Sequence, residues 1–292
     1  MESIQNKNIK ITIKDIGAEL SSIVSLKNNK EYLWRGDAKF WSGQAPILFP
    51  FVGKLKEDNF IANEKVYSQK QHGFFRKSNE VKLIKNTETK LTYSIKHSER
   101  TLEVYPYKFQ FNTSYELIGN KIIIDHFIKN LGDDILYFSI GEHPAFNCSL
   151  IDPNQSYDKS TLLFDKNETE ATWNLNKEGL FDNTTTEILK NTSKIELNTN
   201  SFKKDALVFK NLKSNTVTLS NKKEGPLVTV EFKDFSYLGI WSKPNAPFVC
   251  IEPWLGIADS HDTNQKIEDK EAIIHLAPKG NYSASYSIII HD

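Results

Sequence analysis

Three short segments set an ionisable side chain beside residues that bend or stop a strand: Gln71-His72-Gly73-Phe74, Gly141-Glu142-His143-Pro144-Ala145-Phe146-Asn147 and Cys250-Ile251-Glu252-Pro253-Trp254. Gly73 lets another backbone come close, while Pro144 and Pro253 fix φ and withhold an N–H just after the ionisable residue. Strand ends of this kind can open into a cleft. Imidazole and carboxylate presented together there could move protons between oxygens near neutral pH. Singly, each signal is bland: a lone His in a β protein is more often a structural group, and a Glu before Pro is more often a solvated strand end. Around Glu252, however, Phe248, Val249, Ile251 and Trp254 make an apolar setting that would raise a carboxyl pKa. His72, His143 and Glu252 could also hold zinc with an open position. The sequence contains no His-Glu-x-x-His element, no phosphate-binding Gly-rich loop and no Gly-x-Ser-x-Gly turn.

Period two dominates the segments that would position these groups. Tyr107, Phe109, Phe111, Thr113, Tyr115 and Leu117 would share one face of a strand, with Lys108, Gln110 and Glu116 opposite. Similar runs at Ile9–Ile13, Leu91–Ile95, Ile122–Ile128, Ile135–Ile140, Leu227–Phe232, Tyr237–Trp241, Pro247–Ile251 and Tyr286–Ile290 predict further strands. Helix is confined to short turns near Asp37–Trp41 and Leu175–Leu180. Many strands without helical crossovers predict an all-β fold, a large antiparallel β-sandwich, with residues 1–292 as one domain. The polar stretch Asp165–Asn200 reads as an elaborated connection that still packs through Trp173, Leu175, Leu180 and Phe181.

Thirty-seven basic against 37 acidic side chains leave no surplus to draw the protein to nucleic acid or an anionic membrane. Only Cys148 and Cys250 are present, so cysteine supplies neither a disulfide framework nor a four-thiolate metal cluster, and a reducing cytoplasmic home is expected. Met1–Lys14 lacks the apolar centre of an export signal, and no uncharged run approaches the roughly 20 residues that span a bilayer.

Four segments in this order, Pro46-Ile47-Leu48-Phe49-Pro50-Phe51-Val52-Gly53-Lys54-Leu55-Lys56, Gln71-His72-Gly73-Phe74-Phe75-Arg76, His143-Pro144-Ala145-Phe146-Asn147 and Ile251-Glu252-Pro253-Trp254-Leu255-Gly256-Ile257-Ala258-Asp259, span nearly the whole chain. Together they resemble the aldose 1-epimerase, or galactose mutarotase-like, family in its bacterial LacX-like branch. The resemblance implies a galactose mutarotase-like β supersandwich and interconversion of the α and β anomers of a hexose, without a cofactor. Glu252 would be the general base on the anomeric hydroxyl, His143 the acid at the ring oxygen, and His72 a hydrogen-bonding assistant. Asp205, Lys54, Arg76 and Trp254 would bind the sugar, free or phosphorylated, in a monomer or homodimer.

Two positions depart from the family pattern. Lys54 stands where Arg is usual and offers a point charge in place of a planar fork. Glu142 replaces a small residue; it would either point away on the alternating strand or approach His143 and raise its pKa. Phe51, Phe74, Phe146 and Trp241 could stack on sugar C–H faces, although aromatics in a sandwich are more often core, and Trp254 is the preferred exception. Two rival functions remain open on sequence: a non-catalytic sugar binder or sensor of the same fold, and a glycoside hydrolase or lyase, which would need Asp205 as a second carboxyl.

Overall fold

The computed structural model describes residues 1–292. Two antiparallel sheets face one another. In the nine-stranded sheet the order is Phe181–Glu196, Ser160–Leu175, Thr216–Asn221, Gly225–Glu231, Asn281–Ile290, Lys121–Asn130, Phe109–Ile118, Lys90–Lys96 and Lys82–Asn86. The smaller sheet runs Leu207–Phe209, Tyr237–Trp241, Phe248–Leu255, Ile140–Glu142 and Ile47–Leu48, and Ala145–Asn147 also pairs with Phe248–Leu255.

The alternation expected at 107–117 appears directly: Phe109, Phe111, Thr113, Tyr115 and Leu117 are buried while Gln110, Asn112 and Glu116 are partly solvated. Gly119, at φ +62°, turns this strand into Lys121–Asn130, whose Ile122, Ile124, His126 and Ile128 face the same way. Phe49 from the small sheet's side closes the gap, its ring centroid 5.0 Å from that of Phe111. Each fully buried Ile or Phe in such a layer stabilises the fold by about 1.5–3 kcal/mol.

Three expectations need correction. Asp165–Asn200 is not a connection: most of it forms the hairpin of Ser160–Leu175 with Phe181–Glu196, each strand 16 residues long. Its outer face is solvated, so the sequence is polar, and its register shifts break the alternation that would reveal it. Secondly, the run Ile135–Ile140 is divided between two sheets. Leu136–Phe138 pairs with Ile274–Leu276, whereas Ile140–Glu142 joins the small sheet, and the amide of Ser139 between them donates to the carbonyl of Pro50. Thirdly, the α-helix Glu99–Val104, capped by Ser98, is too short to show a periodic stripe. The segments near Asp37–Trp41 and Leu175–Leu180 are turns, the second being the tip of the hairpin. No helix is long and apolar enough to cross a membrane.

Candidate active site

Strand Phe248–Leu255 is buried at all eight positions and forms the floor of the site. On one side Gly239 of Tyr237–Trp241 lies across from Glu252. On the other, Ile140–Glu142 and Ala145–Asn147 pair with the same strand in one common register, with Gly141 across from Trp254 and Ala145 across from Cys250. His143 therefore stands across from Glu252 in the interval where Pro144 interrupts the ladder. Directly opposed positions bring side chains into contact, and His143 Nε2 is 3.3 Å from Glu252 Oε2.

Glu252 is only 1% exposed, and neither of its carboxylate oxygens has a hydrogen-bond partner. Burial, with Asp205 adding, pushes its carboxyl well above the usual range. Burial drives His143 the other way, to about 3, with the nearby Arg76 charge in the same direction. Buried polar atoms without partners are uncommon, and here they converge on an open cavity.

His72 occupies the left-handed region at φ 69°, followed by Gly73 at φ +67°, where a Cβ would lie 2.3 Å from the Phe49 carbonyl oxygen. This turn aims the imidazole inward. Its Nδ1 accepts from the amide of Gly53 at 3.1 Å, which leaves the ring proton on Nε2 as a donor. Burial first, then His143 and Arg76, hold His72 neutral.

All seven side chains singled out in the sequence, Lys54, His72, Arg76, His143, Asp205, Glu252 and Trp254, line one cavity of about 340 Å³. Their environments differ. The Lys54 ammonium is held by Asp58, which also pairs with Lys70 at 2.7 Å. Arg76 forms no ion pair; its guanidinium donates to the Gln71 carbonyl at 3.2 Å, and its Nε is buried without a partner. Asp205 sits at the rim, exposed, with Oδ1 accepting from the Ala206 amide at 2.8 Å. Glu142 faces the opposite side of its strand from His143, and no rise in the His143 pKa accompanies it. Phe51 and Phe146 are core, and Phe74 packs against that core, so these three offer the cavity no stacking face.

Trp254 fits between two glycines. A Cβ on Gly239 would lie 2.4 Å from its ring, and one on Gly141 would lie 2.7 Å from it. Gly239→Ala is therefore expected to displace Trp254 and cost about 1–3 kcal/mol by overpacking; an unchanged melting temperature would contradict this account of the wall.

Sequence reasoning missed Trp41 as a wall residue. Its ring stacks on His143 with centroids 4.8 Å apart and planes 28° apart, while Trp241 meets the same imidazole edge-on at 5.7 Å. Gln71, Lys243 and the hairpin residues Leu175, Gly179 and Phe181 also reach the cavity. The signal at Trp41 was an aromatic next to a turn, and composition cannot tell that from a core residue. His143, Cys250 and Glu252 bring potential metal-ligand atoms within 4.8 Å of one another, and burial keeps the Cys250 thiol strongly protonated.

The aldose 1-epimerase family model matches residues 2–269. The chain belongs to the aldose 1-epimerase family. It is 34% identical over 296 residues to the plasmid-encoded protein LacX of Lactococcus lactis subsp. lactis, with 98% of each chain covered. A galactose mutarotase related enzyme from Lactobacillus acidophilus superposes with a TM-score of 0.94 at 33% identity, covering 100% of this chain and 97% of that one. A galactose mutarotase-like protein from Lactobacillus casei ATCC 334 gives 0.93 at 26% identity, with both chains fully covered. The two facing sheets are thus the galactose mutarotase-like all-β sandwich of this family.

Proposed function

We propose that the protein is an aldose 1-epimerase that interconverts the α and β anomers of a hexose by acid/base ring opening and reclosure. The observation that carries this reading is the opposed, buried and unpartnered pair Glu252 and His143, 3.3 Å apart at the wall of a sugar-sized cavity. Glu252 takes the proton of the anomeric hydroxyl as C1–O gains carbonyl character, and His143 gives a proton to the ring oxygen. After rotation about C1–C2 the two exchange roles and the ring closes on the other face. His72, a neutral Nε2–H donor, hydrogen-bonds the ring oxygen or a neighbouring hydroxyl.

Burial favours the proton on Glu252 over His143. The working arrangement, carboxylate with imidazolium, contains the same number of protons. Reaching it needs only a transfer within the pair, and sugar hydroxyls that donate to the carboxylate favour that transfer. Asp205, Arg76 and Trp254 serve as sugar ligands. Lys54 acts there with its charge largely committed to Asp58. We read residues 1–292 as one domain and place it in the cytoplasm, a setting consistent with the free thiols of Cys148 and Cys250.

Anomer-exchange NMR over a panel of free and phosphorylated aldoses tests the reading. Exchange faster than in buffer is expected for at least one sugar. Binding without acceleration would identify a sugar binder instead, and release of reducing ends from oligosaccharides would identify a hydrolase.

A further inference from the structure

Behind the His143 strand the interior between the sheets contains a cluster of buried polar side chains. Strand alternation sends Glu142 away from the cavity and into that interior, where it is 1% exposed. Its Oε2 accepts a hydrogen bond from the Tyr286 hydroxyl at 2.9 Å, and its Oε1 lies 2.8 Å from His126 Nε2, a close polar contact without hydrogen-bond alignment. His126 and Tyr286 belong to neighbouring strands of the nine-stranded sheet, and Ala284, small and directly across from His126, leaves room for the reach. Phe111 and Tyr286 flank the His126 ring, at 5.6 and 6.4 Å between centroids.

Such a trio is a poor way to gain stability, because apolar residues of similar volume commonly do as well or better in a buried position. What hydrogen bonds add, and apolar contact does not, is direction. Little else directs the His143 side chain: no other residue hydrogen-bonds its buried Nδ1, and the backbone beside it is joined to the Glu252 strand by the single hydrogen bond from the Ile251 amide to the Pro144 carbonyl, 3.2 Å. The Trp41 ring holds it by a flat stack, which resists tilting more than sliding.

We propose that Glu142 is a positioning residue for His143, fixing the strand end Ile140–Glu142 to the opposite sheet through Tyr286 and His126 so that the next side chain meets Glu252 at reacting distance. The catalytic half of this inference rests on His143 as the acid of the proposed epimerase; the structural half does not.

The test compares an apolar triple variant, Glu142→Leu with His126→Leu and Tyr286→Phe, with the parent in melting temperature, kinetics and the NMR signal of the His143 ring, assigned through His143→Asn. The triple variant is expected to melt close to the parent, with a shifted and broadened His143 signal. Its kcat should fall about 10- to 100-fold with KM little changed, as for a misplaced catalytic group. Glu142→Gln, which keeps an acceptor for Tyr286, should retain most of kcat. A folded triple variant with parental His143 signal and parental kcat would overturn the proposal. If the triple variant does not fold, Tyr286→Phe decides by the same readings: a moved signal supports the tether, and an unmoved signal overturns it. Where the parent turns over no aldose, the ring signal still decides the positioning, and only the epimerase reading fails.

Discussion

Replacing Glu252 with Gln should slow anomer exchange roughly 10²- to 10⁴-fold, the range for loss of a positioned acid/base group, and yet make the protein more resistant to heat at neutral pH. The two halves have one cause. Burial raises the Glu252 pKa in the folded protein, so the native state keeps its proton to higher pH than the unfolded chain does. Below the unfolded carboxyl range both states are protonated and the residue is no burden. As pH rises through the interval up to the native pKa, the unfolded state releases its proton first and stability declines. Gln cannot ionise and escapes that decline. The difference in melting temperature should be small at acid pH and grow toward neutrality, by about 2–4 °C for each kcal/mol. Thermal melts at two pH values measure it alongside exchange NMR. Loss of activity together with a lower melting temperature at neutral pH would mean that the carboxylate stabilises the fold, contrary to its unpartnered burial.

The second large effect concerns pH. Because the productive form of the His143–Glu252 pair holds one proton, kcat/KM should fall where a second proton is gained and where the last is lost, with apparent values that belong to the pair. Burial moves these limbs apart: His143 is lowered to about 3, and Glu252 is raised well above the ordinary carboxyl range. The acid limb should therefore lie far below the usual histidine value of about 6.5, and the alkaline limb well above the range of free carboxylates. His143→Asn should lower kcat by at least about 10²-fold and remove the acid limb. A profile controlled by a single group near 6.5 would contradict the assignment, and so would one left unchanged by His143→Asn.

Several strands were readable because one face is dry and the other wet. Phe109 to Leu117 alternates because its strand lies inside the large sheet, paired on both edges, with solvent on one face only. The same physics hid the Ser160–Glu196 hairpin, where bulges shift the period and Thr, Asn and Glu fill the outer face. Site residues were visible where a breaker marks a strand end, as at His72-Gly73, His143-Pro144 and Glu252-Pro253. Their convergence was not visible, because it depends on two ladders keeping one register across Pro144. Trp41 and the Glu142–His126–Tyr286 trio were illegible for a related reason. An aromatic or a buried acid declares its role only through partners more than a hundred residues away, as with His143 for Trp41 and Tyr286 for Glu142.

The long hairpin contributes to the cavity only through its tip and the first residue of its return strand, Leu175, Gly179 and Phe181, whereas the proton-moving pair stands on the opposite sheet. The hairpin thus adds a wall that is separate in sequence from the strands holding Glu252 and His143, whereas Trp254 shares its strand with Glu252. Phe181 packs in one apolar cluster with Trp254, and Leu175 rests against it, so the hairpin end and the Glu252 strand share a wall, while Gly179 at the tip touches neither strand of the pair. On the proposed epimerase reading, changes confined to the tip around Gly179 would alter which sugar is admitted before they altered the pair that moves the protons.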